Sequence, residues 1–253
     1  LQGVAADNKA VGVRLGAESG ESVYSIRVIS LTLVSVTSAV LALAVYTRDR
    51  RNPANRSFAA TAIMSMVWLW FALLSDLPQL QAYSLLFNRL TLAAAALWAL
   101  LAVNFGLVFP HRRDRVSPWA RVFLVAGFAM AMLAAATPLV VAGVVFRAGG
   151  TDVISGPAFV VYGTWMLSAA VVFFFALRRK YRMGAGRERA QIKYLLVGTL
   201  LFAVPSAIFG MIIPAITHSY AISVLNTFTP LVLFGFVSYA MVRHRLMDMR
   251  FVV

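Results

Sequence analysis

The sequence predicts an all-α fold: a polytopic membrane protein built as a seven-transmembrane helix bundle, with its N-terminus outside and its C-terminus inside. Three observations predict it. Hydrophobic residues make up 61% of the 253, and the mean hydropathy is +0.81, more than a soluble domain of this length needs. The apolar residues gather into seven stretches of about 18 to 26 residues, each near the ~20 that cross a ~30 Å hydrocarbon core as helix. The basic residues fall in every second gap: four arginines in Thr47–Ser57, four in Pro110–Arg121, seven basic residues in Arg178–Lys193 and three in Arg243–Arg250, or 18 of the 23. Basic gaps stay cytoplasmic, which sets the orientation.

Leu1–Val23 is polar, with Gly, Asp, Glu and Ser and no apolar run. It does not read as a signal peptide and is expected to be a flexible extracytoplasmic segment, residues 1–23. Residues 24–242 form the transmembrane domain, and 243–253 begin a cytoplasmic helix. The first span, Tyr24–Tyr46, carries Arg27 near its start. The turn after it holds Asn52-Pro53, which can start a turn, and Asn55 or Ser57, which can cap the next helix. The second span is Phe58–Ser75, with Trp70 in its outer half and Asp76 just past its end.

The third span, Ser84–Phe109, carries Asn88, Arg89 and the run Ala93–Ala96. Arg89 lies five residues in, about 7–8 Å down the helix. A charge at that depth is costly unless it snorkels outward, here to Asp76, or is paired, here with an anionic ligand or lipid head group. The fourth span, Arg121–Val141, is again rich in alanine, and small residues let helices approach closely. The fifth, Pro157–Leu177, brings Tyr162 and Trp165. The sixth, Gln191–Ala215, is interrupted by Pro205, Gly210 and Pro214. The seventh, Ser223–Val242, contains Asn226, Thr227, Thr229 and Pro230. Proline removes a backbone donor and kinks a helix, either as plain packing geometry or as a hinge.

Several functions are excluded or disfavoured. A net charge of +14 would point to nucleic acid in a soluble protein. Here the charge sits at membrane edges, where it sets topology and meets anionic lipid, so no nucleic-acid partner is expected. There are no cysteines, and the three histidines, His111, His218 and His244, are far apart in sequence, so no metal site and no cofactor is expected. The seventh span has no lysine for a retinal Schiff base. Phe109-Pro110-His111-Arg112-Arg113 replaces the Asp/Glu-Arg-Tyr triplet of G-protein-coupled receptors, and Asn-Pro-x-x-Tyr is missing from the last span. No Asp or Glu lies within any span, which disfavours intramembrane catalysis and proton-coupled transport.

Four motifs carry a resemblance. NPANRSF spans Asn52–Phe58, FGLVFP spans Phe105–Pro110, RERAQIKYLLVG spans Arg187–Gly198, and YAMVRHRLMD spans Tyr239–Asp248. Their order and their placement at cytoplasmic helix ends resemble the N-terminal seven-helix sensor region of bacterial histidine kinases, also found ahead of diguanylate cyclases. The likeness covers about Tyr24–Arg250. It implies a non-enzymatic sensor or receptor module in the bacterial inner membrane. It also implies an output domain directly after the last helix and a homodimer formed through that helix. Tyr239, Val242, Leu246, Met249 and Val253 step by 3, 4, 3 and 4, the a/d spacing of a coiled-coil seam, or else an apolar helix end lying in the interface.

A sensor needs a place for its signal. The candidates for a small-molecule or lipid ligand are polar and aromatic groups of the outer half: Arg27, Trp70, Asn88, Arg89, Tyr162, Trp165, Asn226 and Thr229. Trp70 and Trp165 also suit interfacial anchoring. The candidates for signal coupling at the cytoplasmic face are Asn52, Asn55, Arg56, Tyr239, Arg243, Leu246 and Asp248, with Asp248 a partner for Arg56 or Arg243. Two other readings compete. A small-solute transporter is favoured by the proline-broken spans and disfavoured by the absence of repeats and buried carboxylates. A scaffold that acts only through helix-mediated assembly is the third.

Overall fold

The computed structural model describes residues 2–109, 118–147, 150–209 and 228–243, with single positions 213 and 225. The helices are α1 (Gln2–Arg48), α2 (Pro53–Ser75), α3 (Ser84–Val108), α4 (Pro118–Ala136), α5 (Phe159–Met183), α6 (Gly186–Ala207) and α7 (Thr229–Arg243). A short 3-10 helix, Pro78–Tyr83, joins α2 to α3, and a two-stranded hairpin, β1 (Val141–Arg147) and β2 (Gly150–Ser155), joins α4 to α5.

Five described stretches are long and apolar enough to cross a membrane: Ser25–Arg48, Pro53–Ser75, Pro78–Val108, Pro118–Ala136 and Phe159–Met183. The described part of α7 is 15 residues long, and α6 opens with Arg187, Glu188, Arg189 and Lys193.

The surface is the reverse of a soluble protein's. Ile29, Leu33, Val36, Val40 and Leu43 on α1, Val122, Val125 and Phe128 on α4, and Val160, Leu167, Val171 and Phe175 on α5 all face outward. The interior mixes small and weakly polar groups (Ser38, Thr61, Ser65, Ala93–Ala96, Ala131 and Ala134) with large apolar ones such as Phe109, Leu177, Ile192 and Phe234. Lipid tails are as apolar as leucine, so close van der Waals packing, for which small residues make room, holds the helices together. Most of the buried hydroxyls return their proton to the helix's own backbone, as Thr61 does to Ser57 at 2.8 Å and Thr199 to Leu195 at 2.8 Å, because no water is there to take it.

Neighbour contacts close a ring among the described residues. α1 packs on α2, α2 on α3, α3 on α5, α5 on α6, α6 on α7, and α7 back on α1. α4 stands outside it against α3 and meets α5 where Phe123 stacks on Trp165, ring centroids 5.6 Å apart. Two glycines set the closest approaches between helices. A Cβ on Gly127 would lie 2.3 Å from Cζ2 of Trp165, and one on Gly198 would lie 2.6 Å from Cβ of Phe236.

Two expectations change, and the backbone of residues 2–23 is helical and continuous with α1. The fourth span ends at Ala136, not Val141. Pro138 blocks the helix, and the β-branched Val141, Val144 and Val145 enter a strand instead. Pro230 is the second residue of described α7, where its missing N–H has no partner to lose, and α6 continues through Pro205 to Ala207. Gly210 and Pro214 lie outside the described residues.

Candidate functional site

The bundle has two polar ends. At the end away from the basic turns, Asp76, which follows the last residue of α2, accepts a hydrogen bond from Arg27 Nη1 at 3.1 Å and another from the backbone N–H of Thr151 at 3.0 Å. The Ser75 carbonyl accepts from the Ser84 and Thr151 hydroxyls at 2.7 and 2.8 Å. Arg89 donates through Nε and Nη2, at 3.2 and 3.1 Å, to the carbonyl of Val141. Asn88 Nδ2 donates to the Ser84 carbonyl at 3.0 Å. These bonds fasten α1, α2, α3 and the hairpin into one clasp. A lone two-stranded hairpin is marginal; here both strands are tied to helix ends.

At the basic end, Asn52 caps α2: its side-chain oxygen accepts from the Ala54 N–H at 2.9 Å, with Pro53 opening the helix. The cap is therefore Asn52, not Asn55 or Ser57. Asn55 is fully buried and donates back to the Val45 carbonyl at 3.0 Å, closing the α1–α2 turn. Ser57 Oγ accepts from Asn104 Nδ2 at 2.9 Å. Lys180 donates to the Leu107 and Phe109 carbonyls at 2.6 and 2.5 Å, capping the end of α3 from α5. Tyr239 of α7 meets Tyr194 of α6 edge-on at 5.5 Å. Arg56 is exposed.

Between the two ends lies a cavity of about 180 Å3, walled by α2, α3, α5, α6 and α7. Its lining is apolar, with Phe58, Phe173, Phe202 and Phe234 among its walls. The polar atoms on it are few. The Thr61 and Thr199 hydroxyls are bonded to their own helices. The indole N–H of Trp98, midway along α3, is buried without a hydrogen-bond partner among the described residues and presents almost no surface to the cavity.

None of the seven expected ligand residues within the described set lines this cavity. Arg27, Asn88 and Arg89 share the clasp, each bonded within the protein. Arg89 goes to the hairpin carbonyl and not to Asp76, which Arg27 reaches instead. Trp70 donates to Ser35 Oγ at 3.0 Å. Tyr162 is buried and donates to the Leu92 carbonyl at 2.8 Å. Trp165 is wedged against Gly127, its N–H buried. Thr229 meets Ser206 at 2.7 Å, linking α6 and α7. Asn226, Thr227, Leu246 and Asp248 lie outside the described residues, as does the Arg243 side chain. Trp98 was not among the expected site residues. One signal could have found it: tryptophans favour the membrane interface, whereas this one falls mid-span. Among the described residues, no three His, Asp or Glu side chains converge to hold a metal ion.

An outward-facing apolar surface, a ring of helices and polar ends define a multi-pass membrane protein. The family model for the N-terminal 7TM region of histidine kinase matches residues 30–250, and the chain belongs to that family of sensor regions. No curated protein and no solved structure matches it.

Proposed function

We propose that this chain is the sensor module of a bacterial histidine kinase in the inner membrane. It detects an extracytoplasmic or membrane-borne signal and passes it through the helix that continues α7 to a kinase output domain, or to a diguanylate cyclase in some relatives. The basic turns face the cytoplasm, and the partner is a second copy joined through the C-terminal helix. The carrying observation is the family match over residues 30–250.

The ring supports the reading physically. α7 packs on both α1 and α6, so a rearrangement of either wall reaches the helix that leads out of the membrane. A coupling of about 1–3 kcal/mol suffices for signalling of this kind. Small-solute transport is the weaker reading: among the described residues, no carboxylate sits inside the ring.

The test joins the chain through its C-terminal helix to a histidine kinase catalytic core in liposomes. Autophosphorylation that changes when the bundle is perturbed at Asn55 or Tyr239, with no solute flux, is the expected result. Flux across the liposome with phosphorylation indifferent to both substitutions would overturn the sensor reading.

A further inference from the structure

We propose that the basic end of α5 and α6 is a binding site for one anionic phospholipid. Its phosphate is held among Arg178, Arg182, Arg189 and Lys193, and its acyl chains lie along the two helices. The site follows from this end of the bundle alone and does not depend on the sensor reading above.

The turn between the two helices brings the charges together. α5 ends at Met183 and α6 begins at Gly186, so only Gly184 and Ala185 separate them. Gly186 takes a φ of 52°, a value that glycine adopts without steric cost. Arg189 then comes back over the last turn of α5. Its guanidinium carbon lies 4.8 Å from the centroid of the Tyr181 ring, within cation–π range. Tyr181 lies beside Arg182 in sequence and one helical turn from Arg178, and Lys193 is one turn beyond Arg189.

This cluster has little to neutralise it. Arg178–Lys193 holds seven basic residues and one acid, Glu188. Lys180 is engaged at the end of α3. Arg178, Arg182, Arg189 and Lys193 are exposed, and none of them pairs with a carboxylate among the described residues. Arg178 with Arg182 and Arg189 with Lys193 are both like-charge pairs at i, i+4, which repel. An anion among the four relieves both pairs at once.

The surface leading to the cluster says which anion. On α5, exposed Leu167, Val171 and Phe175 run by steps of four toward Arg178 and Arg182, which follow at three and four. On α6, Arg189 and Lys193 lead by steps of four, three and four into exposed Val197, Leu200 and Val204. Such steps keep to one helix face. Each face is thus apolar along the membrane and cationic at one end, the polarity of an anionic lipid. A soluble phosphate would use the cations and leave both apolar stripes without a role. Guanidinium groups grip phosphate oxygens in pairs, and basic pockets between transmembrane helices suit lipid head groups.

The test titrates phosphatidylglycerol against the purified chain in a neutral maltoside detergent and counts bound lipids by native mass spectrometry. The expected result is one copy held more tightly than any further copy, and more tightly than phosphatidylcholine with the same acyl chains. Arg178→Gln with Arg182→Gln, and separately Arg189→Gln with Lys193→Gln, should each weaken that copy roughly tenfold to thirtyfold. Seven basic residues less two leaves five in the segment, so the charge asymmetry that orients the chain stands. Arg48→Gln with Arg50→Gln removes the same charge from the turn between α1 and α2, where Asp49 lies between them, and should leave the first copy in place. Glycerol 3-phosphate, a head group without chains, should not displace it. An equal loss in the Arg48 and Arg50 variant would overturn the site and leave only diffuse charge at the membrane edge. Phosphatidylcholine bound as tightly would overturn the anionic head group. Displacement by glycerol 3-phosphate would overturn the lipid in favour of a soluble phosphate compound. Wild-type affinity in both site variants would overturn the four residues. If one of the two lacks the wild-type circular dichroism and elution volume, the other decides.

Discussion

Arg27 near the start of the membrane-crossing part of α1 reaches Asp76 at the end of α2, Nη1 to Oδ2 in 3.1 Å, while the other carboxylate oxygen holds the N–H of Thr151 on the hairpin. One acid thus joins two helices and a strand that are distant in sequence. Both side chains are about one-fifth exposed, so water screens the pair only in part.

Removing Asp76 should loosen the hairpin as well as α1. Asp76→Ala should lower stability by about 1.5–3 kcal/mol, the range for hydrogen bonds to a charged group. Asp76→Asn, which keeps an acceptor, should cost less. Hydrogen exchange at the Thr151 amide reports it: faster exchange in Asp76→Ala than in Arg27→Ala is expected. Equal exchange in wild type and Asp76→Ala would refute the bond.

Arg89 should behave as a brace for β1. Arg89→Lys keeps the charge but loses the planar pair of donors aimed at the Val141 carbonyl. Exchange along β1 should rise in Arg89→Lys and more in Arg89→Ala, with about 1–2 kcal/mol lost in the latter. A stability loss confined to anionic-lipid nanodiscs would instead mark Arg89 as a lipid head-group contact.

Gly127 should resist even a methyl group. Gly127→Ala forces the Trp165 ring to move, and overpacking of this kind costs about 1–3 kcal/mol. Gly163→Ala, where nothing lies within 4 Å of the new carbon, is the matched control and should be near neutral. Thermal unfolding in one detergent, with tryptophan fluorescence followed alongside, distinguishes them. Equal melting temperatures would show that α4 is not docked through this contact.

Lys180 should matter for the end of α3. Lys180→Met retains the apolar stem but leaves the Leu107 and Phe109 carbonyls without their ammonium donor. About 1–2 kcal/mol should be lost, with exchange rising in the last turn of α3 before any change in α1. Lys180→Arg should recover part of it. Fraying spread evenly over the bundle would contradict a local cap.

The sequence by itself determined the membrane class, the family and the approximate helix boundaries. Apolar stretches about 20 residues long and the asymmetry of basic turns are one-dimensional signals. They survive without knowledge of which helix touches which. A polar cap in the turn before α2 was likewise legible, because a cap is a local arrangement, but the sequence pointed to Asn55 or Ser57 and gave Asn52 only a turn, whereas Asn52 does the capping. Tertiary structure alone decided the partners. Asp76 lies nearer in sequence to Arg89 than to Arg27, yet it pairs with Arg27, while Nε and Nη2 of Arg89 turn to a hairpin carbonyl. That hairpin was hidden in the tail of an apolar stretch, where a β-branched run and a membrane helix look alike. The cavity was invisible for a deeper reason. It is bounded by side chains from five helices, each ordinary within its own span. An unfilled space exists only after all five are placed, and no residue type in the sequence announces an absence of atoms.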